Sequence, residues 1–238
     1  MKLPKIQIDR INSTLSAIPN DARSGLEIGF YEFVLTKLLS EKLDLISIDL
    51  PRPVLDHEAY RLVFSDIQAL PFLDRVFDIV VCTEVLEHLS DEILIHGVTE
   101  LKRVARKYIL VSVPYKQRIW NELFQCSNCG ASCNNMGHLR FMDEEILKSL
   151  FNPWRCLDIQ LLGEGPGYAP DWIYQIAYRY GGLSKKLIFL ESCPNCGSQQ
   201  GQMQVNKLGW FFERFIWRLE AMAPKRPLWL MAIFQSPL

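Results

Sequence analysis

Long apolar runs are missing from this 238-residue chain, and no uninterrupted stretch reaches the ~18 residues that a membrane span requires. Residues 1–20, MKLPKIQIDRINSTLSAIPN, lack the apolar core of a secretory signal, so a soluble protein of the cytoplasm with no membrane partner is expected. An excess of positive charge is missing too. Lys and Arg total 26 against 27 Asp and Glu, and a net charge of −1 gives no global attraction for a polyanion, so no nucleic-acid partner is expected. The G-x-G-x-x-G turn that seats a pyrophosphate on a helix N-terminus is absent, which argues against a dinucleotide site. There is no low-complexity tract, no internal repeat beyond two similar cysteine pairs, and no sign of an oligomeric state. What remains is 49% apolar, enough for one well-buried domain with a small insertion.

Hydrophobic periodicity divides the chain into alternating strands and helices. Residues 1–23 show no clean period and are expected as a leading helix or arm. Strands are expected at residues 25–29 (GLEIG), 45–50 (LISIDL), 61–64, 77–82, 108–113 (YILVSV), 156–162 and 228–234 (LWLMAIF). Helices are expected at residues 32–42, 91–106 with Ser90 as N-cap, 143–151 and 207–222. This alternation predicts an α/β fold, a Rossmann-like, doubly wound, seven-stranded and mostly parallel sheet. Two cysteine-rich stretches interrupt it. The expected organisation is a cofactor-binding half at 1–114, insertions at 115–142 and 163–203, and a closing part at 143–162 and 204–238.

Residues 77–82 form a β-branched apolar run suited to a strand buried on both faces. Such strands open at their carboxyl ends into a crevice, which puts Thr83, Glu84, Glu87 and His88 at the usual ligand-binding edge. Asp49 lies twenty residues beyond Gly29 at the end of the second expected strand, where a carboxylate can accept hydrogen bonds from both hydroxyls of a ribose. Asp66 and Ile67, after the third, can address an adenine ring. With the run LPF-x-x-x-x-FD-x-x-x-C-x-EVLEHL, the chain over residues 23–162 resembles class I S-adenosylmethionine (AdoMet) methyltransferases of the type 11 domain. The resemblance places Glu27, Gly29, Phe30 and Tyr31 in the family's first motif, Asp49 at the ribose, Asp66 and Ile67 at the adenine, and Glu84 beside the amino acid end of the cofactor. It implies a methyltransferase acting on a small metabolite or biosynthetic intermediate. Tyr31 and Phe33 stand where that motif carries glycines, so two rings must fold away from the pocket or narrow it.

Methyl transfer needs an aligned acceptor and a base for any proton it loses, and His88 and His138, with Glu84, are the catalytic candidates. His88 can equally be a helix-end residue packed beneath the sheet rim. Glu84, Glu87 and His88 form E-x-x-E-H, and with His138 offer an oxygen and nitrogen set suited to Mg²⁺. That pattern is similar to small-RNA 2′-O-methyltransferases, which makes a metal-assisted RNA methyltransferase the alternative enzyme; a catalytically silent zinc-binding scaffold is the alternative outside catalysis. Cys126-Ser-Asn-Cys129-Gly and Cys193-Pro-Asn-Cys196-Gly share C-x-N-C-G, the pattern of two metal knuckles, so structural zinc is expected on Cys126, Cys129, Cys193 and Cys196, with iron as chemical rival and Cys133 as a fifth contender. Cys82 and Cys156 read as small buried hydrophobes. The aromatics of residues 210–219 read as helix packing, and residues 163–172 (GEGPGYAPDW) as a loop able to cover an acceptor.

Overall fold

The computed structural model describes residues 3–30, 33–50, 61–126, 128–181, 193, 196–198 and 207–237. They divide into two compact units, one of residues 1–115, 142–163 and 228–238, the other of residues 116–141 and 164–227.

The first unit is built around β4 (Phe77–Thr83), all seven of whose residues are buried. Its alternating side chains feed two cores, as the two-residue period of a strand requires. Ile79 and Val81 join Ile11, Leu35 and Leu39 on one face, while Val80 and Cys82 join Leu94, Val98 and Leu101 on the other. Burying each Leu of the second layer contributes about 1.5 to 3 kcal/mol. Around β4 stand β1 (Ser24–Ile28), β2 (Asp44–Asp49), β3 (Leu62–Phe64), β5 (Ala105–Pro114), β8 (Arg155–Leu162) and β9 (Trp229–Gln235). Their order is β3-β2-β1-β4-β5-β9-β8. Pairs from β3 to β5 are parallel, and β9 runs antiparallel between β5 and β8. The direction of winding reverses between β1 and β4, so the crevice at their carboxyl ends is the topological switch point.

Helices α1 (Lys5–Ser16), α2 (Phe33–Ser40), α3 (Asp91–Val104) and α4 (Glu144–Phe151) cover the sheet. Ser90 and Asp143 cap α3 and α4, accepting hydrogen bonds from the N–H groups of Ile93 and Ile146. α3 stops two residues before the expected boundary, because Ala105 turns extended and pairs with Phe77. The expected arm at the front of the chain is the helix α1. Arg103 ties the β3–β4 loop to α3: it donates to the carbonyls of Leu70 and Phe72 while Glu100 accepts from Leu70 N–H at 2.8 Å. Asp78, buried at the other end of β4, accepts from the N–H groups of Arg23 and Ser24 and from the Arg106 guanidinium.

The second unit holds the hairpin β6 (Leu123–Gln125) and β7 (Ser132–Asn134), helix α5 (Asp171–Ile176) running into a π-turn at Ala177–Gly181, and α6 (Lys207–Met222). Ala169, Ile173, Tyr174, Ala177 and Ile216 form its core, and the Tyr174 hydroxyl donates to Glu220. α6 therefore belongs with the insertions here, whereas its sequence position groups it with the closing part of the sheet domain.

Candidate functional site

The switch-point crevice collects the residues that the sequence singles out at the ends of β1, β2, β3 and β4. Gly29 follows β1 with φ +80°, a conformation that L side chains rarely adopt, and its N–H donates to Ile48 carbonyl at 2.8 Å. A Cβ at this position would lie 2.6 Å from Val85 Cγ2, so the turn has room for a hydrogen only. Glu27 is buried and its carboxylate is consumed inside the fold, accepting from Thr36 Oγ1 at 3.1 Å and Ser47 Oγ at 2.6 Å. It braces β1, α2 and β2 at the turn and so acts on the crevice by positioning it. Asp49 ends β2, half-buried, with one oxygen accepting from Leu50 N–H at 2.7 Å.

Of the rings in and beside the first motif, Phe30 and Phe33 lie among the described residues. Phe30 is fully buried, its ring 6.1 Å from Phe33 and 6.4 Å from Phe64. Phe33 opens α2 and keeps 39% of its surface exposed. Tyr31, named with them in the first motif, lies outside the described residues. Asp66 is exposed and accepts from the backbone N–H of Gln68 at 2.9 Å. Ile67 is buried, and Gly97 makes room for it, a Cβ there standing 3.2 Å from Ile67 Cγ1. An apolar side chain beside a small helix residue gains more from packing on α3 than from facing water.

Glu84 follows β4 with φ +56°, uncommon for a residue with a side chain. Four groups of the first unit hold it. Its N–H donates to Ser112 carbonyl, its Oε1 accepts from Ser112 Oγ at 3.0 Å, its Oε2 accepts from Trp229 Nε1 at 3.0 Å, and Arg10 Nη1 stands 3.7 Å away. Arg10 is 3% exposed and lies 5.2 Å above the Trp229 ring. Sequence reasoning missed Arg10, Ser112 and Trp229. Arg10 sits in the α1 stretch without a clean period, and nothing local marks its partner 74 residues away; only the burial of a cation beside a carboxylate identifies it.

Glu87 and His88 form a 3₁₀ turn Leu86–His88, Glu87 pointing into the fold and His88 out to solvent. Both Glu87 carboxyl oxygens are buried and, among the described residues, receive no hydrogen bond. Burial, followed by the charge of Glu84, pushes the Glu87 carboxyl well above the carboxylate range. A proton or a bound cation would each relieve that burial. Burial first, then Glu87 and Glu84, pushes the neighbouring Cys82 thiol up, consistent with an inert, packed sulfur. His138 belongs to the second unit, where its Nδ1 faces Gln117 Oε1 at 2.5 Å.

In the second unit the two cysteine knuckles are near-copies. Gly130 and Gly197 take φ +71° and +68°, and each N–H donates to the carbonyl of the first cysteine of its pair, Cys126 and Cys193, at 2.9 and 2.8 Å. The sulfurs of Cys126, Cys129, Cys193 and Cys196 all lie within 4.8 Å of one another. Cys126 and Cys196 Sγ stand 3.7 Å apart, Cys129 and Cys193 Sγ 3.8 Å. A tetrahedron of sulfurs at the usual zinc–thiolate bond length has edges of about 3.8 Å. Burial works against ionisation of Cys126, but the N–H groups of Cys129 and Asn128 and the neighbouring thiols outweigh it and draw it down to about 6. Cys133 flanks the cluster, packed on Cys126 and Cys193, and burial pushes its thiol up. Cys156 is half-buried on β8.

Residues 26–108 match the methyltransferase domain family. No curated protein sequence matches the chain significantly. An AdoMet-dependent methyltransferase from Archaeoglobus fulgidus aligns with a TM-score of 0.53 and 15% identity, covering 98% of this chain and 94% of that one. The 1,6-didemethyltoxoflavin-N1-methyltransferase of Burkholderia thailandensis, with S-adenosylhomocysteine bound, aligns with a TM-score of 0.52 and 12% identity over 95% and 76% of the two chains. The [4+2]-cyclase SpnF shares the same fold, with a TM-score of 0.54 and 12% identity over 97% and 81%. Residues 26–108 thus carry a match to the methyltransferase domain, and the chain has the fold of these AdoMet-dependent methyltransferases, with the strand order that sets a switch point between β1 and β4.

Proposed function

We propose that the crevice at the carboxyl ends of β1, β2 and β4 binds AdoMet and that the enzyme methylates a small-molecule acceptor. The observation that carries this reading is Gly29. A positive φ and a Cβ position already filled by Val85 leave bare backbone at the point where a nucleoside must approach closely. Asp49 would hold the ribose hydroxyls, and Asp66 with the neighbouring backbone the adenine amine. When bound, the cofactor supplies an activated methyl group on a sulfonium, so the protein need not generate a leaving group.

The chain's own residues then position and neutralise. Glu84, fixed by Ser112, Trp229 and Arg10, would accept hydrogen bonds from the ammonium of the cofactor's amino acid end. Arg10, the buried cation beside it, would meet the carboxylate of that same end. A fixed anion and a fixed cation 3.7 Å apart match the two charges of a zwitterion without rearranging on binding. His88, exposed on the rim, is the base we assign to an acceptor that loses a proton. The zinc expected at Cys126, Cys129, Cys193 and Cys196 would be structural: four thiolates leave no open position for an acceptor.

Support for a small acceptor comes from the Burkholderia enzyme, which holds 1,6-didemethyltoxoflavin beside S-adenosylhomocysteine, and from the balanced charge of this chain. Calorimetry with AdoMet and S-adenosylhomocysteine tests the reading. Micromolar binding that Asp49→Ala weakens by about 1.5 to 3 kcal/mol is the expected result. Titration to millimolar ligand without heat or thermal stabilisation would end it.

A further inference from the structure

α6 carries an amphipathic arrangement that the packing of its own unit does not use. At about 100° per residue, Gly209, Glu213, Ile216 and Glu220 fall within one narrow arc. Ile216 faces the core of the second unit and Glu220 accepts from Tyr174. The opposite half of the helix is exposed and carries large apolar side chains. Phe211, Phe215 and Met222 line up with Leu208 on one stripe, with Phe211 62% and Met222 84% exposed. Trp210 and Trp217, 58% and 69% exposed, are one heptad apart on a second stripe. Phe211 and Phe215 stack with their rings parallel, which extends the apolar surface instead of closing it.

The charges on this helix are sorted. Arg214 and Arg218 lie between the two stripes, with Arg214 5.2 Å over the Trp210 ring, while Glu213 and Glu220 fall outside them, on the arc of Ile216. An exposed half-cylinder of Trp, Phe, Leu and Met that carries only cationic charge is complementary to one kind of surface: apolar just beneath a layer of anions. A protein groove that received these rings would need no such layer, and a second copy would set Arg214 and Arg218 against their own like charges.

We propose that α6 is an interfacial helix that docks this protein on anionic bilayer surfaces, its rings entering the acyl boundary and its two arginines pairing with lipid phosphates. No described helix is long and apolar enough to cross a membrane, and this docking requires none. The proposal goes beyond the methyl transfer inferred above and stands apart from it.

Co-sedimentation of the full chain with vesicles of phosphatidylcholine, alone or with about 30 mol% phosphatidylglycerol, tests it. Binding to the anionic vesicles that is weaker by at least about tenfold on pure phosphatidylcholine is expected, and it should fall as salt rises. The pair Phe211→Ser and Phe215→Ser should reduce that binding by at least about tenfold, and so should Arg214→Glu with Arg218→Glu. Vesicles should shift the tryptophan emission to the blue, and Trp210→Phe with Trp217→Phe should remove most of that shift. Folding of each variant is checked by far-UV circular dichroism. Absence of sedimentation with anionic vesicles overturns the proposal, as does unchanged binding by the folded variants. Self-association by light scattering that the Phe pair abolishes, without vesicle binding, would identify a second copy as occupant and also overturn it.

Discussion

Replacing Gly29 by alanine applies two separate perturbations at one atom. The first is conformational: the φ of +80° stays, and an alanine held in the left-handed region costs about 1 to 2 kcal/mol. The second is steric, since the new methyl would stand 2.6 Å from Val85 Cγ2. Valine is stiff about its first side-chain torsion, so the overlap must be met by backbone movement or an unfavourable rotamer, at about 1 to 3 kcal/mol. The sum is about 2 to 5 kcal/mol in urea denaturation. Val85→Ala in the same chain should recover the steric part and leave the conformational part, giving a favourable coupling of about 1 to 3 kcal/mol in a double-mutant cycle. AdoMet affinity should fall at least about tenfold in the single variant, because the displaced backbone is the floor of the proposed nucleoside site. A Gly29→Ala protein that loses less than about 0.5 kcal/mol and keeps its affinity would refute the reasoning, and so would a cycle with no coupling.

Arg10→Met should weaken AdoMet by about 10- to 100-fold, the range for a lost charged hydrogen bond, while 5′-methylthioadenosine, which lacks the amino acid end, binds as before. A merely structural role for Arg10 would weaken both ligands. Purified protein should retain about one equivalent of zinc, lose it on Cys196→Ser, and show tetrahedral thiolate bands when reconstituted with Co²⁺. Asp78 gives a pH prediction with a definite sign. Burial opposes its ionisation, but Arg106 and the N–H groups of Arg23 and Ser24 outweigh this and hold its carboxyl at about 2, below the ordinary value of 3.8. A lowered carboxyl stabilises the fold above the unfolded value and loses that contribution as pH falls from about 4 to about 2. Solvent at the half-exposed Arg106 reduces the effect to about 1 kcal/mol, so Asp78→Asn should flatten the acid limb of the stability curve by that amount.

The sheet was legible because its strands carry two-faced burial in their composition: a run such as Phe77–Thr83 suits few other environments. The cap at Ser90 was legible for a local reason, since a hydroxyl three residues before a helical N–H acts within one turn. The cysteine knuckles were legible through repeated spacing, and their sulfurs converge although the pairs lie more than sixty residues apart in sequence. What stayed hidden depends on distant partners. Nothing local pairs Ile67 with Gly97, and Glu84 reads as a chemical group until Trp229 and Ser112 are seen to hold it. The hairpin Leu123–Asn134 and the helix α5 lie in stretches too short for a period to show.

The place of β9 in the sheet sets an order on biosynthesis. It follows β8 by more than sixty residues in sequence yet lies between β5 and β8, so β8 has no sheet neighbour until residues 229–235 leave the ribosome. Until then the edge of β5 that β9 covers has no strand to pair with, and Trp229 is not there to fix Glu84. β1 to β5 are thus available to pair before the proposed zwitterion clamp can be completed, and the edge of β5 is what a chaperone would have most to shield in that interval.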